Sequence, residues 1–264
     1  MHFLGVDIGS LSCDAVVIDD SERMVAWSVV PTGARNMAAI ERAKEEVLRK
    51  AGLEPEEVKA TIATGYGRNR VEGRLAAVTE ITCHARGIRA CLPQTNVLVD
   101  IGGQDSKSIL LGDDGRVLRF AMNDKCAAGT GRFLEAMARA LEVDIEQLAV
   151  MDVGATSGMK LSSMCTVFAE SEVVSLIAEG AEVNEIVRAL NLAIASRTRT
   201  LVKRVARDIE GLRVAMSGGV ARNAGVVRAL GDELRCSITV PPEPDTIGAY
   251  GAALIARDRW LRAA

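Results

Sequence analysis

The sequence predicts an α/β chain of two similar domains with a cleft between them. Three observations predict this. A hairpin unit occurs twice, helical segments fill the intervals, and 264 residues suffice for one large domain or two small ones. The first copy of the unit opens with Leu4-Gly5-Val6-Asp7-Ile8-Gly9-Ser10, the second with Leu98-Val99-Asp100-Ile101-Gly102-Gly103. Each is an apolar strand ending in Asp-Ile-Gly, followed by a second apolar run, Ala15–Ile18 or Ser108–Leu111. A turn comes next, Asp19-Asp20-Ser21 or Gly112-Asp113-Asp114-Gly115, and then a third run, Met24–Val30 or Val117–Met122. Apolar runs bounded by Asp and Gly turns read as hairpins.

The remaining elements follow in order. Ala38–Ala51 carries Ile40, Ala43, Val47 and Leu48 at helical spacing, and Gly52 stops it. Helices are expected over Gly131–Leu141, Phe168–Glu179 and Ile186–Asp208. A strand, Arg213–Met216, breaks into Ser217-Gly218-Gly219, and a helix runs from about Asn223 to Leu234. A last strand, Ser237–Val240, stops at Pro241-Pro242-Glu243-Pro244, and a small-residue helix, Gly248–Trp260, ends the reading.

Composition narrows the function. Charged residues are 25% and apolar residues 48%, which is ordinary for a globular chain and too apolar for disorder. A net charge of −3 and 3% aromatics argue against a nucleic-acid partner or an anionic membrane. No run approaches the roughly 18 apolar residues of a membrane span. Asp7 comes too early for a signal peptide, so a cytoplasmic location is expected and the six cysteines are read as thiols or metal ligands.

The chain has no Walker lysine loop and no dinucleotide fingerprint. The two Asp-Ile-Gly turns offer another route to phosphate. Glycine at such a turn lets backbone N–H groups approach phosphate oxygens. Asp7 and Asp100 precede the turns, where a carboxylate can hold Mg²⁺ through water. Ser10 and Ser12 add hydroxyls, Gln104 is placed to orient an attacking water, and Gly218-Gly219 makes a third phosphate- or adenosine-facing turn.

These strings resemble the first phosphate, second phosphate and adenosine motifs of the acetate and sugar kinase–Hsp70–actin superfamily. Longer strings are more specific. Thr64-Gly65-Tyr66-Gly67-Arg68, Asn123-Asp124-Lys125-Cys126-Ala127-Ala128-Gly129-Thr130-Gly131-Arg132-Phe133 and Cys165-Thr166-Val167-Phe168-Ala169-Glu170-Ser171-Glu172 resemble the ATP-dependent activators of 2-hydroxyacyl-CoA dehydratases and the ATPase subunits of benzoyl-CoA reductases. The resemblance runs from Leu4 to about Leu254. It departs after the first turn: family members commonly continue with hydroxyl residues and then Lys, where this chain has Leu11-Ser12-Cys13-Asp14.

The resemblance implies two RNase H-like, actin-like ATPase domains around a nucleotide cleft. The first covers 1–94 and is completed by the C-terminal helix 247–264; the second covers 95–246. ATP or ADP with Mg²⁺ is expected at Gly9, Ser10, Leu11, Ser12, Gly102, Gly103, Gln104, Asp105, Gly129, Gly131, Gly218, Gly219, Val220, Asn223 and Asp245, with Asp7, Asp100 and Gln104 catalytic.

Cys13, Cys83, Cys91 and Cys236 lie in or beside apolar segments and read as small buried hydrophobes. His84, beside Cys83 and near Glu80, reads as structural, and Arg68, Arg70 and Arg74 as a solvated basic face. Cys126 and Cys165 each precede a helix, whose N-terminus favours a thiolate or an anionic cluster. Two cysteines do not make a four-cysteine site, and from the residues alone structural or redox thiols stay open; a twofold dimer would bring four. The resemblance implies that these two ligate one [4Fe–4S] cluster per homodimer. It further implies anaerobic electron transfer from ferredoxin or flavodoxin to an iron–sulfur dehydratase or reductase. A cluster-free small-molecule kinase and an actin-like assembly protein are the alternatives, and the acceptor's CoA ester is not legible.

Overall fold

The computed structural model describes residues 1–156, 158–162 and 165–263. The chain divides into two compact units: the first comprises residues 1–95, 111–118 and 241–264, the second 96–110 and 119–240.

In the first unit, β1 (His2–Ile8), β2 (Ser12–Asp19) and β3 (Met24–Pro31) form the expected meander. After α1 (Asn36–Ala51) come β4 (Val58–Gly65), β5 (Ala76–Ala77) and α2 (Glu80–Cys91). The sheet order is β3-β2-β1-β4-β5, antiparallel within the meander and parallel from β1 to β4 and β5. Helices cover both faces, so β1 is buried nearly throughout rather than alternating. Leu4, Val6 and Ile8 pack with Ile40, Ala43 and Val47 of α1. Phe3 packs on the other side with Ala249, Ala252 and Ala253 of the C-terminal helix, Ile247–Ala263. That helix is rich in small residues because α2 crosses it closely. A Cβ at Gly251 would lie 1.8 Å from the Cys83 carbonyl oxygen, and one at Gly87 would lie 2.2 Å from that of Ile247.

The second unit repeats the plan with β6 (Val97–Ile101), β7 (Ser106–Leu111) and β8 (Val117–Asn123). Helices α3 (Gly131–Ala140), α4 (Thr166–Ala178) and α5 (Val183–Val205) follow, then β9 (Val214–Ser217), α6 (Ala224–Leu234) and β10 (Ile238–Thr239); the C-terminal helix is α7. Its sheet order, β10-β9-β6-β7-β8, reproduces the first sheet strand for strand. Two sheets with order 3-2-1-4-5, each an antiparallel meander extended by parallel strands, are the RNase H-like plan occurring twice. β4, β5 and α2 were not expected from the sequence; the remaining helices and strands lie within a few residues of their expected places.

Candidate functional site

In each unit the first two strands turn at the Asp-Ile-Gly string. The Gly9 N–H donates to the Ser12 carbonyl at 2.9 Å, and the Gly102 N–H to that of Asp105 at 3.0 Å. Those two donors close the hairpins. The N–H groups a phosphate would meet are therefore those at the tips, residues 10 and 11 in one turn and 103 and 104 in the other. Gln104 is exposed there. The Ser12 hydroxyl donates to Asp14 Oδ2 at 3.1 Å, so it is oriented along its own strand.

Asp7 is 8% exposed at the end of β1. Glycines make its place. A Cβ at Gly65 would lie 2.4 Å from Asp7 Oδ1, and one at Gly248, in the first turn of α7, 2.0 Å from Oδ2. His84 Nε2 lies 3.9 Å from Asp7 Oδ2. His84, read from sequence as structural, is thus a neighbour of the candidate catalytic carboxylate. The pairing joins α2 to β1 across 77 positions of sequence, and local spacing carries no sign of it. Oxygen donors of this kind suit a hydrated Mg²⁺. Asp245 lies one turn before α7 and is partly exposed.

In the second unit Asp100 ends β6 and is 2% exposed. Lys107 Nζ lies 3.3 Å from its Oδ2 and 2.7 Å from Asp105 Oδ2. The Ser217 hydroxyl donates to Asp100 Oδ1 at 2.8 Å, which ties the strand entering the Gly102 turn to the turn after β9. Gly218 has φ 83°, and a Cβ there would lie 2.3 Å from the Ile101 carbonyl oxygen. The glycine is required by this close approach. Val220 is buried, so it offers a ligand only its backbone, and Asn223 Oδ1 accepts from the Val226 N–H as the N-cap of α6.

The Cys126 segment is bonded to the glycine turn. The N–H groups of Gly131 and Arg132 donate to the carbonyls of Gly102 and Gly103, each at 2.9 Å. The Thr130 hydroxyl lies 3.0 Å from the Gly103 carbonyl and 2.6 Å from that of Ala127. Gly129 takes φ 84° on the way into α3. Two orphan donors of the α3 N-terminus are therefore satisfied by the turn itself.

Cys165 is the N-cap residue of α4 and is exposed, while Cys126 is half-buried. Beside Cys165, Val167 and Phe168 are each 67% exposed, and Val174 further along is 54% exposed. Among the described residues, no group of three His, Cys, Asp or Glu side chains is placed to hold a metal ion. Two thiols fit half of a four-thiolate set. The other cysteines differ in kind. Burial pushes the Cys83 thiol up to about 12 and the Cys91 thiol to about 11. Burial, with the nearby Asp14 and Asp7 carboxylates, raises Cys13 further, and burial also raises Cys236. Thiols held protonated in this way are poor ligands and poor nucleophiles.

Known proteins share this fold. The structure of the activator of the 2-hydroxyisocaproyl-CoA dehydratase from Clostridium difficile with bound ADPNP matches with a TM-score of 0.93 at 42% identity, covering 100% of this chain and 97% of that one. The Acidaminococcus fermentans (R)-2-hydroxyglutaryl-CoA dehydratase component A matches with a TM-score of 0.92 at 40% identity, covering 99% of each chain. The activator of lactoyl-CoA dehydratase from Anaerotignum propionicum is 45% identical over 256 residues, 97% of each chain. Residues 4–256 match a family model as well, and with these relatives that match shows that the chain belongs to the BadF/BadG/BcrA/BcrD ATPase family.

Proposed function

We propose that this chain hydrolyses ATP to drive low-potential electrons from ferredoxin or flavodoxin into a partner 2-hydroxyacyl-CoA dehydratase or related iron–sulfur reductase. The observation that carries the reading is the bonding of Gly102 and Gly103 to residues 130–132, which begin four residues after Cys126. A turn that takes phosphate and a segment that carries a thiol share hydrogen bonds, so neither shifts without the other.

The roles divide as follows. The tips of the two turns donate N–H groups to the phosphates, and Gln104 orients the attacking water. Asp7 would hold a hydrated Mg²⁺, which when bound supplies positive charge beside the phosphates. Asp100 is already engaged by Lys107 and Ser217. Held in place by those contacts, it is the second candidate carboxylate for the hydrated Mg²⁺. Gly218, Gly219, Val220, Asn223 and Asp245 belong to the adenosine end.

Cys126 and Cys165 of two copies would hold one [4Fe–4S] cluster, which supplies one-electron transfer when bound. The exposed Val167 and Phe168 beside Cys165 support the homodimer, since apolar side chains at such exposure gain from burial against a second copy. The relatives' dehydratase names support the acceptor class.

The test is anaerobic purification followed by iron, sulfide and visible-absorbance measurements on wild type, Cys126→Ala and Cys165→Ala. Four irons per dimer in wild type, lost in each variant while the fold persists, is the expected result. A colourless protein that phosphorylates a small molecule would overturn the reading.

A further inference from the structure

The second unit holds an open cavity of about 310 Å³ between α5 and the loop that carries Cys126. Small-molecule sites begin at this size. The lining is polar and basic: Ser106, Asn123, Arg197, Thr200 and Arg204, with Gly129 on the loop side. Among the described residues, no carboxylate lines it. The fold does not require this polarity. Ser106 and Ser108 pair with Ile101 and Val99, on the face of the sheet that α5 covers. At the same register in the first unit, Ile8 and Val6 pair with Cys13 and Ala15, which are part of the apolar core under α1. Ser106 is 7% exposed, and the buried Ser108 hydroxyl has no hydrogen-bond partner among the described residues. Strand alternation turns Asp100 and Lys107 to the opposite face, so the cavity lies on the other side of this sheet from Asp100.

Arg197, Thr200 and Arg204 recur at helical spacing, so one face of α5 meets the cavity, with its two arginines about 10 Å apart along the axis. Arg204 is exposed and makes no hydrogen bond or ion pair with another described residue. The end of α5 has a cation without it, since Arg119 donates to the Val205 carbonyl at 3.3 Å. On the loop side, Asn123 Nδ2 donates to the Cys126 carbonyl at 3.1 Å, and a Cβ at Gly129 would lie 3.4 Å from Arg197 Cδ. An amide carries two N–H groups, so Asn123 can hold the loop with one and a ligand with the other. Guanidinium forks, hydroxyls and an amide together suit the several oxygens of a phosphate chain better than the two of a carboxylate. We infer that this cavity binds a small polyanion of the phosphate class, and that its occupant steadies the Cys126 loop.

The experiment titrates tripolyphosphate into the full-length protein by calorimetry, in the presence of a non-hydrolysable ATP analogue with equimolar Mg²⁺ to fill the glycine turns. Wild type, Arg204→Gln, Arg197→Gln and Lys203→Gln are compared, with melting recorded for each. Lys203 is exposed on the same helix and does not line the cavity, so it controls for net charge. Arg204→Gln is expected to weaken binding about tenfold or more, the loss of hydrogen bonds to a charged group, and Arg197→Gln by a similar factor. Lys203→Gln should leave the affinity near that of wild type. Arg204 is exposed, so its variant serves should Arg197→Gln fail to fold. Amide exchange over residues 124–130 should slow when tripolyphosphate binds. Absence of binding to wild type, or equal losses in Arg204→Gln and Lys203→Gln, overturns the site. Binding with unchanged exchange over 124–130 overturns the effect on the loop. Should the ATP analogue itself fail to bind, the reading of the glycine turns falls, while the tripolyphosphate titration still decides the cavity.

Discussion

Lys107 invites a decisive substitution. Its side chain is 3% exposed, and its ammonium lies 2.7 Å from Asp105 and 3.3 Å from Asp100, both nearly buried. Lys107→Met keeps most of the side-chain volume and removes the cation, so two carboxylates remain together at low dielectric. Removing one partner of a buried ion pair costs about 3–5 kcal/mol, several times the cost at a surface pair. Asp105 makes the shorter contact, so Lys107→Met with Asp105→Asn should recover more than half of the loss. The sign of the pH dependence is fixed. Two like charges raise a carboxyl's folded pKa above its ordinary value near 4. Stability from a raised pKa is present below the unfolded value and is lost as pH rises through the folded one. The deficit of Lys107→Met should therefore be larger at about pH 8 than at about pH 5. Urea unfolding followed by circular dichroism measures it, with m-values compared to exclude a change in the unfolded state. A loss below about 1 kcal/mol, or a double variant no better than the single one, would refute the assignment of Lys107 as the neutralising cation.

Asp7→Asn should lower ATP hydrolysis about 100-fold, a typical loss for a charge aimed at a transition state, while leaving iron content unchanged. Hydrolysis near the wild-type rate at saturating Mg²⁺-ATP removes Asp7 from the role proposed. Gly218→Ala places a Cβ against the Ile101 carbonyl at φ 83°, so both stability and affinity for ATP should fall; a variant that binds ATP as wild type does would show that the turn after β9 does not face the nucleotide. The Cys83 thiol, held protonated to about 12 against an ordinary 9.0, contributes stability that is lost as pH rises above 9. Cys83→Ala should therefore lose less stability on alkalinisation than wild type, by up to about 1.4 kcal/mol per pH unit, as read from urea midpoints at two alkaline pH values.

Much of this architecture was legible because the hairpin unit recurs. The meanders, the glycine turns and most helices follow from runs of Val, Ile and Leu bounded by Asp and Gly. β4 escaped because Val58–Gly65 mixes Lys, Thr and Ala with two strong strand formers, and its place beside β1 comes from tertiary pairing. α2 carries Gly87 and a central His84, which blur its stripe; both are explained by α7, which lies more than 150 residues further on. The His84–Asp7 approach is of the same kind. Lys107 differs, because its signal was present: aligning the two copies at Asp7 and Asp100 sets Asp14 against Lys107, and a lysine inside a buried strand demands an acid nearby.

The first unit is interrupted in sequence. Its sheet is finished by residue 77, yet one face of that sheet is covered by α7, from residue 247 onward. A ribosome therefore delivers five strands and two helices of this unit, then the entire second unit, before the covering helix exists. Until then Phe3, Val16, Ile18 and Ile62 have no α7 to pack on. The second unit, apart from the 111–118 hairpin tip, lies within one stretch and is complete at residue 240, so it is expected to fold first during synthesis. Nascent chains stalled short of residue 247 should expose that apolar face to chaperones, and a protein truncated before α7 should aggregate through its N-terminal sheet rather than through the part that carries the cysteine pair.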